Sequence, residues 1–121
     1  MKRKNLRRYG YPSYNKYNNE KEVVDGITFD SKHEAEVYSK LKILERCGAI
    51  RNLRLQVPFI LQDKYEINGR KVQAIKYVAD FVFENDDLET EVWDAKGMKT
   101  DVYKLKKKLF ECRYGVEIKE V

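Results

Sequence analysis

The chain has 121 residues, 42% of them hydrophobic and 37% charged, with a net charge of +5. That is one domain's length, with enough apolar residues for a single core beneath a heavily charged surface. No apolar run approaches the 18 residues of a membrane-spanning helix and no apolar core follows the basic start, so a membrane protein and a secreted one are excluded and a soluble, cytoplasmic protein is expected.

Residues 1–18 hold Lys2, Arg3, Lys4, Arg7, Arg8 and Lys16 without an acid. The excess positive charge therefore belongs to an arm, which also interleaves Tyr9, Tyr11, Tyr14 and Tyr17. Nothing periodic and apolar offsets the entropy of ordering it, so it is expected to be mobile when free. Its chemistry is that of phosphate contact by the bases, Arg7, Arg8 and Lys16 among them, with tyrosines stacking on exposed nucleobases. The core domain then occupies residues 19–121. Val23 to Phe29 reads as a short turn or hairpin. Ser31 is an N-cap with Glu34 three residues later, a capping-box pattern that opens a helix. Ala35, Val37, Tyr38, Leu41 and Leu44 give it one buried stripe, and Gly48 stops it.

Asn52 to Gln62 alternates as a strand with one buried face, and Pro58 marks it as an edge or a bulge. Asn68-Gly69 is a tight-turn dipeptide joining 65–67 to 71–75. Two more strands follow, around Tyr77–Phe83 and Val92–Lys96, joined by the acidic turn Asn85-Asp86-Asp87. Thr100 or Asp101 caps a second helix whose apolar stripe is Val102, Leu105, Leu109 and Cys112, crowded by Lys104, Lys106, Lys107 and Lys108. Gly115 ends it, and Val116 to Val121 is a last strand. The order is αβββαβ, and the last strand follows a helical crossover, so it can lie parallel in the same sheet. An α/β domain with a mixed sheet flanked by two helices is the result. Cys47 and Cys112 are expected as small buried hydrophobes, and with one histidine and no CxxC pair a zinc site is excluded.

The residues that carry chemistry lie in the two middle strands. Asp80 stands amid Tyr77, Val78, Ala79, Phe81 and Val82, and Asp94 and Lys96 share a face of the next strand while Trp93 and Ala95 take the other. Asp80 falls opposite residues 91 to 94. Carboxylates on apolar strands are costly unless they serve one another or a metal.

An acid on one strand, then Asp-x-Lys on the next, resembles the signature of the PD-(D/E)xK nuclease superfamily, with Asp80 as the first acid and Asp94-Ala95-Lys96 as the second half. Ala79 stands where the signature has proline. The αβββαβ order is also that of the restriction-endonuclease-like core. Phe29-Asp30-Ser31-Lys32-His33-Glu34-Ala35 is similar to the start of the first helix in many members, which puts a further acid at Glu34. Over about residues 15–121, including Lys16-Tyr17-Asn18-Asn19 and the run Asp94 to Asp101, the chain resembles a small family of phage-encoded proteins with this core. The resemblance implies a Mg²⁺-dependent endonuclease acting on DNA in a phage-infected or lysogenic bacterial host, with Mn²⁺ able to substitute. It implies Asp80 and Asp94 as metal ligands, Glu34 as a direct or water-mediated one and the Ala95 carbonyl as a neutral one. Lys96 would orient the nucleophilic water or stabilise the transition state.

Glu34 also completes the capping box, and Glu36, its rival, points about 200° round the helix. Gln56 is a candidate to polarise a water, His33 is expected as an exposed residue of the first turn, and Lys99, Lys104 and Lys107 are candidate phosphate contacts. The chain has no separate module that reads base sequence, so DNA shape is the expected source of selectivity. Branched DNA such as a four-way junction, cut by a homodimer with two symmetric sites, fits that expectation. Against the nuclease stand a non-catalytic nucleic-acid-binding protein using the same basic surface and an RNA-binding or ribosome-associated one suggested by the arm.

Overall fold

Asp25 and Gly26 take positive φ, 54° and 76°. That is what a two-residue hairpin turn needs, and it folds β1 (Glu22–Val24) antiparallel onto β2 (Ile27–Phe29). The computed structural model describes residues 20–95 and 99–121. Arg7, Arg8, Lys16 and Lys96, and with them the expected arm, lie outside the described residues. α1 (Lys32–Arg46) begins as its sequence predicts, with Ser31 Oγ accepting from the Glu34 N–H at 3.1 Å. Glu34 Oε1 returns the contact to the Asp30 N–H at 3.2 Å, one residue before the cap. The helix closes in a Schellman turn, Gly48 N–H to Glu45 O and Ala49 N–H to Leu44 O. Ala35, Val37, Tyr38 and Leu41 are buried as expected. Leu44 is not: it is 39% exposed, because the chain turns back at Gly48 and Ile50 enters the core there instead.

β3 (Arg51–Gln62) is followed by a separate hairpin of β4 (Tyr65–Ile67) and β5 (Arg70–Val72), turned at Asn68-Gly69. β6 (Ile75–Glu84) and β7 (Thr90–Asp94) are joined by residues 85–89, where the Asn85 side chain accepts from the Asp87 and Glu89 amides. α2 (Asp101–Tyr114) is capped by Thr100 and stopped by Gly115 at φ 70°, and β8 (Ile118–Glu120) ends the fold. The main sheet has the order β3-β6-β7-β8, antiparallel except for the parallel β7–β8 pair. The fold is thus α/β, with a mixed sheet and two helices. β3 is an edge, one of the two settings that Pro58 allowed. Among the described residues no helix is long and apolar enough to cross a membrane.

The face of α2 differs from expectation. Tyr103 and Phe110 are buried, whereas Val102, Leu105 and Leu109 are 62%, 59% and 43% exposed and Cys112 is exposed with them. Helical spacing allows either stripe, and the sheet decides between them. Phe110 packs edge-on against Phe59 at 4.9 Å and near Tyr77 at 5.4 Å, contacts a leucine at 109 cannot replace. Cys47, at the C-cap of α1, is exposed as well, so neither cysteine is a core residue. Leu105→Ser is therefore expected to change unfolding free energy by no more than about 0.5 kcal/mol. A urea titration showing a loss of about 2 kcal/mol or more, the size of a buried leucine, would mean that this stripe is covered.

Two cores sit on opposite faces of the sheet, and the strands exchange them partway along. Leu53 and Leu55 of β3 pack with the α1 core, but Val57, Phe59 and Leu61 pack with the α2 core. On β6, Tyr77 and Ala79 belong to the α2 core, while Phe81 and Phe83 belong to the α1 core. All nine are odd-numbered, so strict alternation would keep each strand's set on one face. The exchange falls between the pairs Leu55–Phe81 and Val57–Ala79, at Gln56 and Asp80. Gln56 has φ 52°, a left-handed conformation that costs a residue with a side chain about 1–3 kcal/mol. A strained point of β3 is therefore also where Asp80 faces it across the sheet.

Candidate functional site

Glu34 faces inward from the first turn of α1 and is 8% exposed, while Glu36 faces solvent. Across from it, the Gln56 amide nitrogen donates to Glu34 Oε2 at 3.3 Å and to Asp80 Oδ1 at 3.1 Å. The other Asp80 oxygen, Oδ2, accepts from the Ala95 backbone N–H at 2.9 Å. Four predicted residues, Glu34, Gln56, Asp80 and Ala95, thus meet from α1, β3, β6 and the end of β7. Burial first and the Asp80 charge second push the Glu34 carboxyl up from 4.5 to about 7, against the lowering bond from the Asp30 amide. Two carboxylates that repel one another are held together by one neutral amide.

Asp94 is close in the chain but differently held. The pairing Phe81–Trp93 puts Asp80 and Asp94 opposite one another at the next step, within the predicted register. Yet Asp94 is fully buried, and its Oδ2 accepts from the Tyr77 hydroxyl at 2.7 Å within the α2 core. Burial, and then the bond to Asp94, drives the Tyr77 hydroxyl far above its ordinary range, so it remains a donor. Glu34 and Asp80 are brought together by Gln56, whereas the Asp94 carboxylate turns to Tyr77. Tyr77→Phe removes a charge-assisted bond to a buried carboxylate and is expected to cost about 2 kcal/mol. Equal urea midpoints for variant and wild type would show that the bond contributes nothing.

Of the predicted phosphate contacts, Lys104 is exposed on α2. Lys99 and Lys107 lie on Glu120, at 3.7 and 3.4 Å. The Tyr103 hydroxyl also donates to Glu120 at 2.9 Å and, with the two lysines, holds that carboxyl below the usual range. His33 is exposed in the first turn, as expected, and its Nε2 lies 2.9 Å from the Val121 carbonyl. Sequence reasoning passed over Tyr77 and Glu120. Glu120 lies opposite Asp94 in the parallel pair, which a strand register for β8 would have revealed. Tyr77 had no local signal, since alternation from Asp94 assigns it a place only once the exchange at Gln56 is known.

Among the described residues no three of His, Cys, Asp and Glu gather into one group able to hold a metal ion. Glu34 and Asp80 make a pair, and their chemistry suits Mg²⁺: hard anionic oxygens, adjacent and sheltered, whose repulsion a cation relieves. A family model described as "Protein of unknown function (DUF1064)" matches residues 14–120. No curated protein and no solved structure matches the chain.

Proposed function

We propose that this chain, which belongs to the DUF1064 family, is a Mg²⁺-dependent DNA endonuclease built on a restriction-endonuclease-like core. The observation that carries the reading is the Glu34–Gln56–Asp80 cluster, two carboxylates on different elements bridged by one amide from a strained residue of β3. Carboxylates repel phosphate, so such a pair serves DNA only with a cation between them. A mixed α/β sheet whose last strand runs parallel after a helical crossover is compatible with such a core and supports the reading at that level.

Glu34 and Asp80 would hold the ion, with Asp94 and the Ala95 carbonyl as the further ligands the resemblance implies. When bound, Mg²⁺ supplies positive charge at the attacked phosphate and lowers the pKa of water. The chain's own part is to fix the acids. The Ala95 amide orients Asp80, the Asp30 amide orients Glu34, and Tyr77 holds Asp94. Lys96 keeps the water-orienting or transition-state role of the signature, and Lys99, Lys104 and Lys107 would exchange solvent or Glu120 for backbone phosphates. Branched DNA is the proposed substrate and a homodimer the proposed active unit.

The test is cleavage of matched linear duplex, flap, nicked and four-way DNA with Mg²⁺ or with chelator. Cleavage only with the ion, fastest on the branched substrates, is expected. Binding without cutting under every metal condition would replace this reading with that of a non-catalytic DNA-binding protein.

A further inference from the structure

We infer that Gln56 is a metal-exchangeable clamp: its side-chain amide holds Glu34 and Asp80 together in the metal-free protein and turns its oxygen inward when a divalent cation takes the place between them. This rests on the proposed metal-dependent reading of the same site. The contacts dictate the first half. With both acids ionised, as at pH 8, the groups facing the amide only accept, so the NH₂ end points at them, at 3.3 and 3.1 Å. A cation between those oxygens would lie against that NH₂, which carries no lone pair for it. The other end of the same amide does. Half a turn about the terminal torsion exchanges the two ends without moving the backbone, and that torsion is broad and roughly two-fold in glutamine.

The backbone gives independent support. Elsewhere in the described chain positive φ falls on Asp25, Asn68 and Leu88, on glycines, and on Asn52 at the register shift that opens β3. Gln56 adopts it within β3, with Leu55 and Val57 paired on either side and no change of register. The strained conformation carries a long polar side chain to the α1 acid and the β6 acid together. Nothing in sheet packing alone calls for a glutamine there, since glycine would take this φ without strain. Gln56 acts through the carboxylates, and is a positioning residue.

Thermal unfolding against MgCl₂ concentration, at pH 8, separates the possibilities without relying on catalysis. Gln56→Gly relieves the backbone and deletes the amide. In chelator the backbone relief and the lost clamp oppose one another, so the reading is the Mg²⁺ concentration for half-maximal stabilisation, which is expected to rise roughly tenfold. Gln56→Glu places a third carboxylate in the cluster. It should melt lower than wild type in chelator and gain more from Mg²⁺. The half-maximal Mg²⁺ concentration for DNA cleavage should move in the same order as the thermal one. If wild type binds Mg²⁺ and cuts DNA while Gln56→Gly keeps the wild-type half-saturation, the clamp is wrong and the nuclease stands. If wild type neither gains stability from Mg²⁺ nor cuts, both fall.

Discussion

Asp80→Asn is expected to lower Mg²⁺-dependent DNA cleavage by roughly 100-fold or more while leaving DNA affinity equal or higher. A factor of that size corresponds to about 2.7 kcal/mol of transition-state stabilisation, within what a single metal-orienting charge supplies. The asymmetry between rate and affinity follows from charge: the carboxylate repels the backbone phosphates, so its removal costs catalysis and not binding. The fold should tolerate the change, because the Asn side-chain oxygen can still accept from the Ala95 amide that holds Asp80 Oδ2. The Asn NH₂ then takes the Oδ1 position facing the Gln56 NH₂, and half a turn of the Gln56 amide presents its oxygen to accept from it. Single-turnover rates and filter-binding affinities on one labelled junction measure both effects. Cleavage within a factor of three of wild type would remove Asp80 from the chemistry.

The second large effect is on stability and needs no DNA. Burial first and the Asp80 charge second push the Glu34 carboxyl of the folded chain up from the ordinary 4.5 to about 7. A carboxyl raised in this way gives stability that is full below pH 4.5 and is lost as pH rises through about 7, because the folded state must ionise a sheltered group beside Asp80. Undiscounted, a shift of this size corresponds to about 3 kcal/mol, and solvent screening makes that an upper bound. In chelator, the melting temperature of Glu34→Gln should therefore rise relative to wild type between pH 5 and pH 8, by up to roughly 10 °C for a domain of this length. Mg²⁺ should close most of that gap at pH 8 by stabilising wild type alone, since the cation favours the ionised pair. A gap of the same size at pH 5 and pH 8 would mean that Glu34 ionises freely in the fold.

Much of this arrangement can be read from local sequence. Ser31 with Glu34, Asp25-Gly26, Asn68-Gly69, Gly48 and Gly115 each mark a boundary through the chemistry of a few neighbouring residues, and Pro58 narrows β3 to an edge or a bulge. The placement of Glu34 inward and Glu36 outward follows from helical geometry once the cap is known. What escaped was decided by residues far apart in the chain. The stripe of Val102, Leu105 and Leu109 has good helical spacing, but the aromatic surface of Phe59 and Tyr77 takes Phe110 and Tyr103 instead. The relation of Asp94 to Asp80 depended on alternation, and alternation breaks at one glutamine whose φ no propensity would assign.

β3 has a further property that concerns the protein in a crowded solution. A strand of 12 residues at the rim of a sheet would ordinarily offer a long row of open backbone groups to any other chain. This rim is broken up. Register shifts lie between Arg51 and Arg54 and between Ile60 and Gln62, Pro58 lacks an N–H, and Gln56 bends the row midway. Near its end, the Tyr114 hydroxyl and the Arg113 guanidinium occupy the carbonyls of Ile60 and Leu61. The distortion that carries the glutamine to the acids thus also denies a second molecule a straight template for fibre growth.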